Sequence, residues 1–596
     1  MKELPSPLII VDSPAVAERL RHILGSDYEV CATDGQICDL PTEEMGIDPD
    51  TFVPKFRLTD RGRDALKRIR PLIPEAKTVY LATETSAAGE SLAAQLASRL
   101  RLKHYRRIHL TSLTQAAVQA ALSASKSIDY SLAQAYQGRR AVDRLIGYTV
   151  SRPLAKKLGR KGLSSGRIQT AILGLLIERE RPQAELAEMA GIELSFRGER
   201  GSWSATWTTK NKCVDFESVI EQILAGSVAV TRSASRTIAR MPPAPLTISS
   251  LLLHGSQRWG YRPEQILAGA QGLFLKGAIS QPLTYTGTLC RDALRSIASI
   301  ATRRGLPLAG GGNCFPEAVV VEAGAEALRP TEFDDETAGA DPVERDLYAL
   351  IWARAVLSQL TAATYESQDL HLVDVEGRRF LASARQLVSP GYLGVADSLG
   401  EHLGDDLSED LAESDALPPL QKGTQLKPSG ARIISAPAVG RGRYAPSDLA
   451  AELENLGICR AEAAYSVMRF MFGRGYAAET RGQVAATDLG LAIYEQIYPA
   501  FSYARIQNLQ SLETALQAVA RGRRTHVKVI EQFWATLRGE AQVFEAKAPT
   551  PFPHESPTRV CPKCGRTMDL ANGPHGLFWA CSGFATQPVC EFTESP

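Results

Sequence analysis

The sequence contains no long apolar run. Across its 596 residues no stretch of about 18 or more uncharged apolar residues occurs, which excludes a membrane-spanning helix. The opening, MKELPSPLIIVDSP, has only a short apolar stretch before Asp12 and lacks the extended core of a secretion signal, so an intracellular, cytoplasmic protein is expected. A disulfide framework is missing as well. Six of the ten cysteines (Cys31, Cys38, Cys213, Cys290, Cys314, Cys459) are scattered singly, which excludes a cystine-stapled scaffold, and the other four crowd into the last 36 residues. Net charge is nearly absent, at +1, yet its placement is uneven.

What is present is a chain too long for one core, so roughly three to five domains or lobes are expected. Apolar content of 44% and charged content of 22% are those of an ordinary globular protein. Residues 139–167 carry nine cations (Arg139, Arg140, Arg144, Arg152, Lys156, Lys157, Arg160, Lys161, Arg167) against one acid, Asp143. Such a field suits phosphates. A second basic cluster, Arg521, Arg523, Arg524 and Lys528, lies near the end, and residues 397–415 are strongly acidic.

Residues 8–11 form a β-branched run ending in Asp12, and the following SPAVAERLRHIL has helical spacing at Val16, Leu20 and Ile23. Residues 78–83 give a second strand, followed by a helix from about Ala88. Two strand-to-helix units with acids at the carboxyl edge predict a parallel α/β sheet with its site at that edge. Carboxylates gathered there repel one another unless a divalent cation neutralises them, as in magnesium sites for phosphoryl transfer.

These segments resemble the Toprim domain of type IA DNA topoisomerases. IIVDSPAVAERL resembles the family's strand-glutamate-Ser-Pro-Ala opening, DGQICDLP its Gly-His-Ile-x-Asp-Leu-Pro turn, and YLATETSAAGE its Leu-Ala-Thr-Asp-x-Asp-Arg-Glu-Gly-Glu signature. The side chains depart from the pattern. Asp12 replaces a glutamate, Val16 a catalytic lysine, and Gln36 a histidine, while Glu84, Ser86, Ala87 and Ala88 replace the first two aspartates, the arginine and the glutamate of the signature. Asp12, Glu84 and Glu90 remain as a weak magnesium set.

RRAVDRLIGYTVSRPLAKKLGRKGLSSGRIQTAILGLLIERER resembles the family most closely, with GLSSGRIQ nearly reproducing Gly-Leu-Ser-Ala-Gly-Arg-Val-Gln. Ser164 and Ser165 suit a helix cap, Gly166 a close backbone approach, and the helix start with Arg167 a phosphate seat. The resemblance places this segment along a single-stranded DNA groove. It implies DNA contacts from Arg139, Arg140, Arg144, Ser164, Arg167 and Gln169.

Residues 192–239 alternate like antiparallel strands, MPPAP marks a boundary, and residues 245–278 have helical patterning. QPLTYTGTLC follows, in which LTYTGTLC aligns with the family's Ile-Thr-Tyr-Met-Arg-Thr-Asp-Ser. A lone tyrosine in an apolar run is ordinarily half-buried core. The alignment instead makes Tyr285 the nucleophile, a phenol being able to attack a phosphodiester and leave again. The arginine that steadies transferred charge is Gly287, for which Arg291 is a candidate replacement. GAEALRPT resembles Ala-His-Glu-Ala-Ile-Arg-Pro-Thr, which keeps Arg329 as a catalytic candidate and puts Ala325 in place of the phosphate-holding histidine. Residues 445–479 resemble the family's winged-helix-like segment.

The tail adds an independent signal. Cys561-x2-Cys564-x16-Cys581-x8-Cys590 has the paired-thiolate spacing of a zinc ribbon, and the interleaved Phe578, Trp579 and Phe584 suit base stacking. The expected architecture is multidomain α/β: a Toprim sheet domain at 1–128, a toroidal type IA topoisomerase core of helical and strand-rich lobes at 129–545, with the Tyr285 lobe at about 245–385, a linker at 546–558 and a zinc ribbon at 559–596. Two functions stay open. One is a monomeric, nucleoid-associated topoisomerase that cleaves DNA through a 5′-phosphotyrosine with magnesium. The other is a non-cleaving DNA clamp or adaptor for DNA-processing proteins.

Overall fold

The computed structural model describes residues 6–48, 50–180, 190–198, 201–209, 214–315, 326–401, 417–435, 442–550, 552, 561–566, 568–573, 576–581, 583 and 590–594. Ala325, Cys213, Phe584, residues 402–415 of the acidic run and residues 551 and 553–558 of the linker lie outside the described residues, as does the side chain of Phe578.

An N-terminal sheet runs in the order Glu29–Ala32, Leu8–Val11, Val79–Leu81, Arg106–Arg107, with every pairing parallel. Each residue of Leu8–Val11 is buried because both faces are covered. Ile9 and Val11 enter one core, Leu8 and Ile10 another. That is why the strand is a continuous apolar run and not an alternating one. The chain leaves Leu8–Val11 for a neighbour on one side and later returns on the other, so a crevice opens at the carboxyl ends. Asp12 and Glu84 both emerge there.

The helix Ala87–Arg99 starts beside that crevice, capped by Ser86, whose hydroxyl accepts the Gly89 N–H at 3.1 Å. Gly89 is required by close packing, since a Cβ there would stand 1.9 Å from the Glu84 carbonyl oxygen. The long helix Tyr130–Lys157 packs on Ala87–Arg99 and on the late helices Ile506–Ala520 and His526–Ala546, tying the sheet domain to the core.

The predicted alternating strands belong to a seven-stranded antiparallel sheet ordered Gln425–Leu426, Val228–Arg240, Ala363–Val373, Arg379–Ser389, Gly201–Thr209, Ala190–Gly198, Gly430–Ser435. A helix the alternation did not announce, Phe216–Ala225, interrupts the run and buries Val219 and Ile223 on that sheet's core. The expected helical stretch resolves into Ile248–Trp259 and Pro263–Leu275.

Residues 445–479 form the helices Pro446–Asn455 and Ala461–Arg474 followed by a hairpin wing, Ala477–Thr480 against Gln483–Ala486. Arg481 (φ 53°) and Gly482 (φ 74°) make its two-residue left-handed turn. Among the described residues no helix is long and apolar enough to cross a membrane.

Candidate functional site

Tyr285 lies in irregular backbone that its neighbours pin on both sides. The Thr284 carbonyl accepts the Ile248 N–H at 3.0 Å, the Thr284 hydroxyl donates to the Glu326 carbonyl at 2.6 Å, and the Thr288 carbonyl accepts the Ala327 N–H at 2.8 Å. The ring is 9% exposed. Its hydroxyl donates to Glu462 Oε1 at 2.6 Å, while the Arg460 guanidinium lies 3.8 Å from the ring centroid. Burial pushes the phenol well above its ordinary value, with Arg460 opposing the rise and Glu462 and Glu84 adding to it. A cavity of about 970 Å³ reaches Tyr285 and is also lined by Thr85, His109, Thr288, Glu326 and Arg329.

A guanidinium from a remote segment, Arg460, therefore stands at the ring, whereas position 287 carries no cation. Position 287 itself faces Phe315, Ala244 and Pro245, and Arg291, the candidate replacement, is an exposed residue opening the helix Arg291–Arg304. Arg329 sits in the cavity wall, its Nε and Nη2 each 2.8 Å from the Glu326 carboxylate and its Nη1 2.8 Å from the Pro330 carbonyl.

The three expected magnesium carboxylates divide. Asp12 Oδ2 accepts the Glu84 N–H at 3.3 Å, and Glu84 Oε2 accepts from Ser86 Oγ at 2.8 Å. Burial raises the Asp12 carboxyl above its ordinary value, against the pull of backbone N–H groups and Arg107. Burial also raises Glu84, with the Ser86 hydrogen bond opposing it and the nearby Asp12 charge adding to it. A dication would relieve both, and Thr85, next in sequence to Glu84 and in the wall of the Tyr285 cavity, has its Oγ1 buried with no partner among the described residues. Magnesium commonly takes one or two carboxylates and fills its shell with water and phosphate oxygens, so Asp12 and Glu84 fit it.

Glu90, the third carboxylate expected at the metal, is held by protein donors instead. Its carboxylate, 2% exposed, accepts Arg107 Nε at 2.9 Å, the Asp129 N–H at 2.9 Å and stands 3.0 Å from His109 Nε2. Burial alone would raise Glu90, but these donors outweigh it and hold it below its ordinary value. Arg107, fully buried, also donates to the carbonyls of Leu81, Thr83 and Glu84, so the pair fixes the carboxyl edge on which Asp12 and Glu84 stand. Of the other replaced positions, Val16 packs against the core, and the Gln36 side chain donates to the Ala88 carbonyl at 3.0 Å.

The basic segment, expected along a DNA groove, has most of its named cations held by protein partners. Arg167 is 2% exposed, with Nε 2.9 Å from Asp143, Nη1 paired with Glu513 and also 3.2 Å from the Ile458 carbonyl. Arg139 bonds the same Glu513 at 3.1 Å. Arg140 pairs with Asp39, and Arg144 donates to the carbonyls of Leu40, Pro41 and Glu44. The serines bond tyrosines where caps were expected: Ser164 N–H to Tyr476 Oη at 2.9 Å and Ser165 Oγ to Tyr503 Oη at 2.7 Å. A Cβ on Gly166 would meet only the Gln169 side chain, at ordinary contact distance, so no close backbone approach explains it. Gln169 Oε1 is buried without a partner among the described residues. Arg152, Lys156 and Lys161 are the exposed cations of this span.

In the tail the four predicted thiols converge. The Sγ atoms of Cys561, Cys564, Cys581 and Cys590 all lie within 4.8 Å of one another beside a three-stranded sheet. Gly565, at φ 72°, turns the chain so that the Arg566 N–H meets Cys564 Sγ. Four convergent thiolates with that turn fit a tetrahedral zinc site.

Sequence reasoning missed Arg460, Glu462, Arg107 and His109. Arg460 and Glu462 open the helix Ala461–Arg474, where charged residues ordinarily serve only the helix terminus. Arg107 follows another arginine, and only the inward side of the short strand Arg106–Arg107 marks it out.

Comparison with known proteins agrees with this geometry. A family model described as DNA topoisomerase matches residues 127–531, and one described as Toprim domain matches residues 7–113. The chain is 29% identical to the plasmid DNA topoisomerase I of Xylella fastidiosa, covering 98% of this chain and 89% of the relative. It is 28% identical to a DNA topoisomerase 1 of Helicobacter pylori, covering 98% and 81%. Full-length topoisomerase I from Thermotoga maritima shares the fold, with a TM-score of 0.70 at 24% identity over 99% of this chain and 97% of that one. With a Toprim sheet at its start, a topoisomerase core through its middle and a four-cysteine cluster at its end, the chain belongs to the type IA DNA topoisomerase family.

Proposed function

We propose that this protein binds single-stranded DNA and cleaves it transiently, Tyr285 Oη attacking a phosphorus so that the Oη–P bond forms as the P–O3′ bond breaks. A 5′-phosphotyrosine then holds one end while a second strand passes. The observation that carries this reading is the setting of Tyr285: a phenol held 2.6 Å from a carboxylate and under a guanidinium, with Glu84 of the sheet edge near enough for its charge to reach the phenol. Magnesium held by Asp12 and Glu84 would supply positive charge against the phosphate. Arg460 supplies fixed charge beside the nucleophile, and Arg329 stands in the wall of the adjoining cavity. Zinc held by Cys561, Cys564, Cys581 and Cys590 would order the ribbon. The protein acts as a cytoplasmic, nucleoid-associated monomer that other DNA-processing proteins can meet.

The loss of Glu90 to Arg107 and His109, added to Ser86 and Ala88, favours a second reading, a DNA clamp that does not cleave. A magnesium-dependent relaxation and cleavage assay on negatively supercoiled and single-stranded DNA separates the two. Covalent adducts that vanish in Tyr285→Phe are expected. Wild type and Tyr285→Phe that bind single-stranded DNA equally, with neither cleaving it, would establish the clamp.

A further inference from the structure

We infer that Glu462 is the acid–base partner of Tyr285, taking the phenolic proton as Oη attacks the phosphorus and returning it when the strand is rejoined. This rests on the reading of Tyr285 as nucleophile and adds a catalytic residue from a different lobe, 177 positions along the chain.

Three observations carry it. The Tyr285 hydroxyl donates to Glu462 Oε1 at 2.6 Å, a charge-assisted bond already aligned for proton transfer. Glu462 Oε2 is buried with no partner among the described residues, so half of the carboxylate keeps its capacity to accept a proton; leaving such an oxygen unbonded costs stability, a cost a structural role would not explain. Arg460 lies over the ring at 3.8 Å with its Nη1 4.0 Å from Glu462 Oε1, a long ion pair, so one cation faces both the phenolate charge that would develop and the carboxylate that takes the proton. A proton on Oη that points at Glu462 also leaves the oxygen's lone pairs directed elsewhere, and the adjoining cavity gives a phosphodiester a way in.

The step balances. Oη–P forms and P–O3′ breaks, and the Oη proton passes to Glu462. The leaving 3′-oxygen is protonated from bulk water, with which Glu462 re-equilibrates, and rejoining reverses each transfer. The charged and titratable groups facing Glu462 are Arg460 before its helix, Glu84 from the Toprim edge, Glu454 from the helix Pro446–Asn455, and Cys459.

The test is single-turnover capture of a single-stranded oligonucleotide by the full chain with magnesium, from about pH 6.5 to about pH 9, comparing wild type with Glu462→Gln, Glu462→Asp and Tyr285→Phe. Wild type should be flat over this window. Glu462→Gln should form adduct slower by on the order of a hundredfold near neutrality, then gain about tenfold per pH unit as hydroxide takes over the proton. Glu462→Asp, which keeps the carboxylate, should recover part of the rate and the flat profile. A Glu462→Gln rate equal to wild type, or reduced by one factor at every pH, overturns the assignment and leaves Tyr285 as nucleophile. Wild type that forms no adduct overturns the nucleophile reading and this inference with it.

Discussion

Glu84 and Glu90 flank the start of one helix and have opposite fates. Glu90 is enclosed by donors on three sides, and its charge is stabilised by them. Glu84 has a serine hydroxyl, faces the like charge of Asp12, and is pressed toward its neutral form. A buried carboxylate with its partners supplied is part of the scaffold. One left short of them has capacity for something that is not protein. The same contrast separates Arg167, locked between Asp143 and Glu513, from Glu462, whose second oxygen has no partner among the described residues.

The largest effect should come from breaking the satisfied side. Arg107→Met strips Glu90 of its main countercharge in a site closed to water and should destabilise the chain by about 3–5 kcal/mol, read as a fall in the denaturation midpoint. The sign for pH follows from Glu90 lying below its ordinary value when folded. Its contribution is present above the unfolded value of about 4.3 and is lost as pH falls through the folded one. Glu90→Gln should therefore flatten the acid limb of the stability profile. An Arg107→Met protein as stable as wild type would erase the distinction.

The unsatisfied side should answer in the opposite direction and more weakly. Asp12 and Glu84 have folded values above their unfolded ones, so the stability they lend at low pH disappears as pH rises through the folded values. At neutral pH without magnesium, Glu84→Gln should raise the melting midpoint. The gain should be no more than about 1 kcal/mol, since the side chain keeps part of its surface in water, and should vanish below about pH 4. Magnesium should raise the midpoint of wild type and not that of the variant. A lower midpoint for Glu84→Gln at neutral pH would place Glu84 with the scaffold.

This contrast also marks how far the sequence could be read. The parallel sheet and the thiol cluster were legible because their signals are local: a β-branched run before an acid, helical spacing, a cysteine spacing; the winged segment was legible from its resemblance to the family. Tyr285 is singled out by its alignment alone. Which charges were taken was not legible, because the partners are remote: Glu513 reaches Arg167 across 346 positions and Glu462 reaches Tyr285 across 177. The resemblance and the helix start make Arg167 a phosphate seat, and nothing near it in sequence announces Glu513; spacing likewise makes Glu90 a ligand, since it cannot reveal that Arg107 folds inward behind it.

The smallest effect tests the cations. A phosphate cannot reach Arg167 without displacing Asp143 and Glu513, whereas Lys156 and Lys161 stand in solvent in the same span. Lys156→Ala and Lys161→Ala should each weaken single-stranded DNA binding only a few-fold while lowering the slope of log affinity against log salt by about 0.7 per lost phosphate contact. Arg167→Met removes the charge that two carboxylates surround, so it should lower stability and leave the salt slope unchanged. If Arg167→Met instead kept its stability and lost slope, Arg167 would have to leave its pocket to meet DNA, and its ion pairs would be a closed state that binding opens.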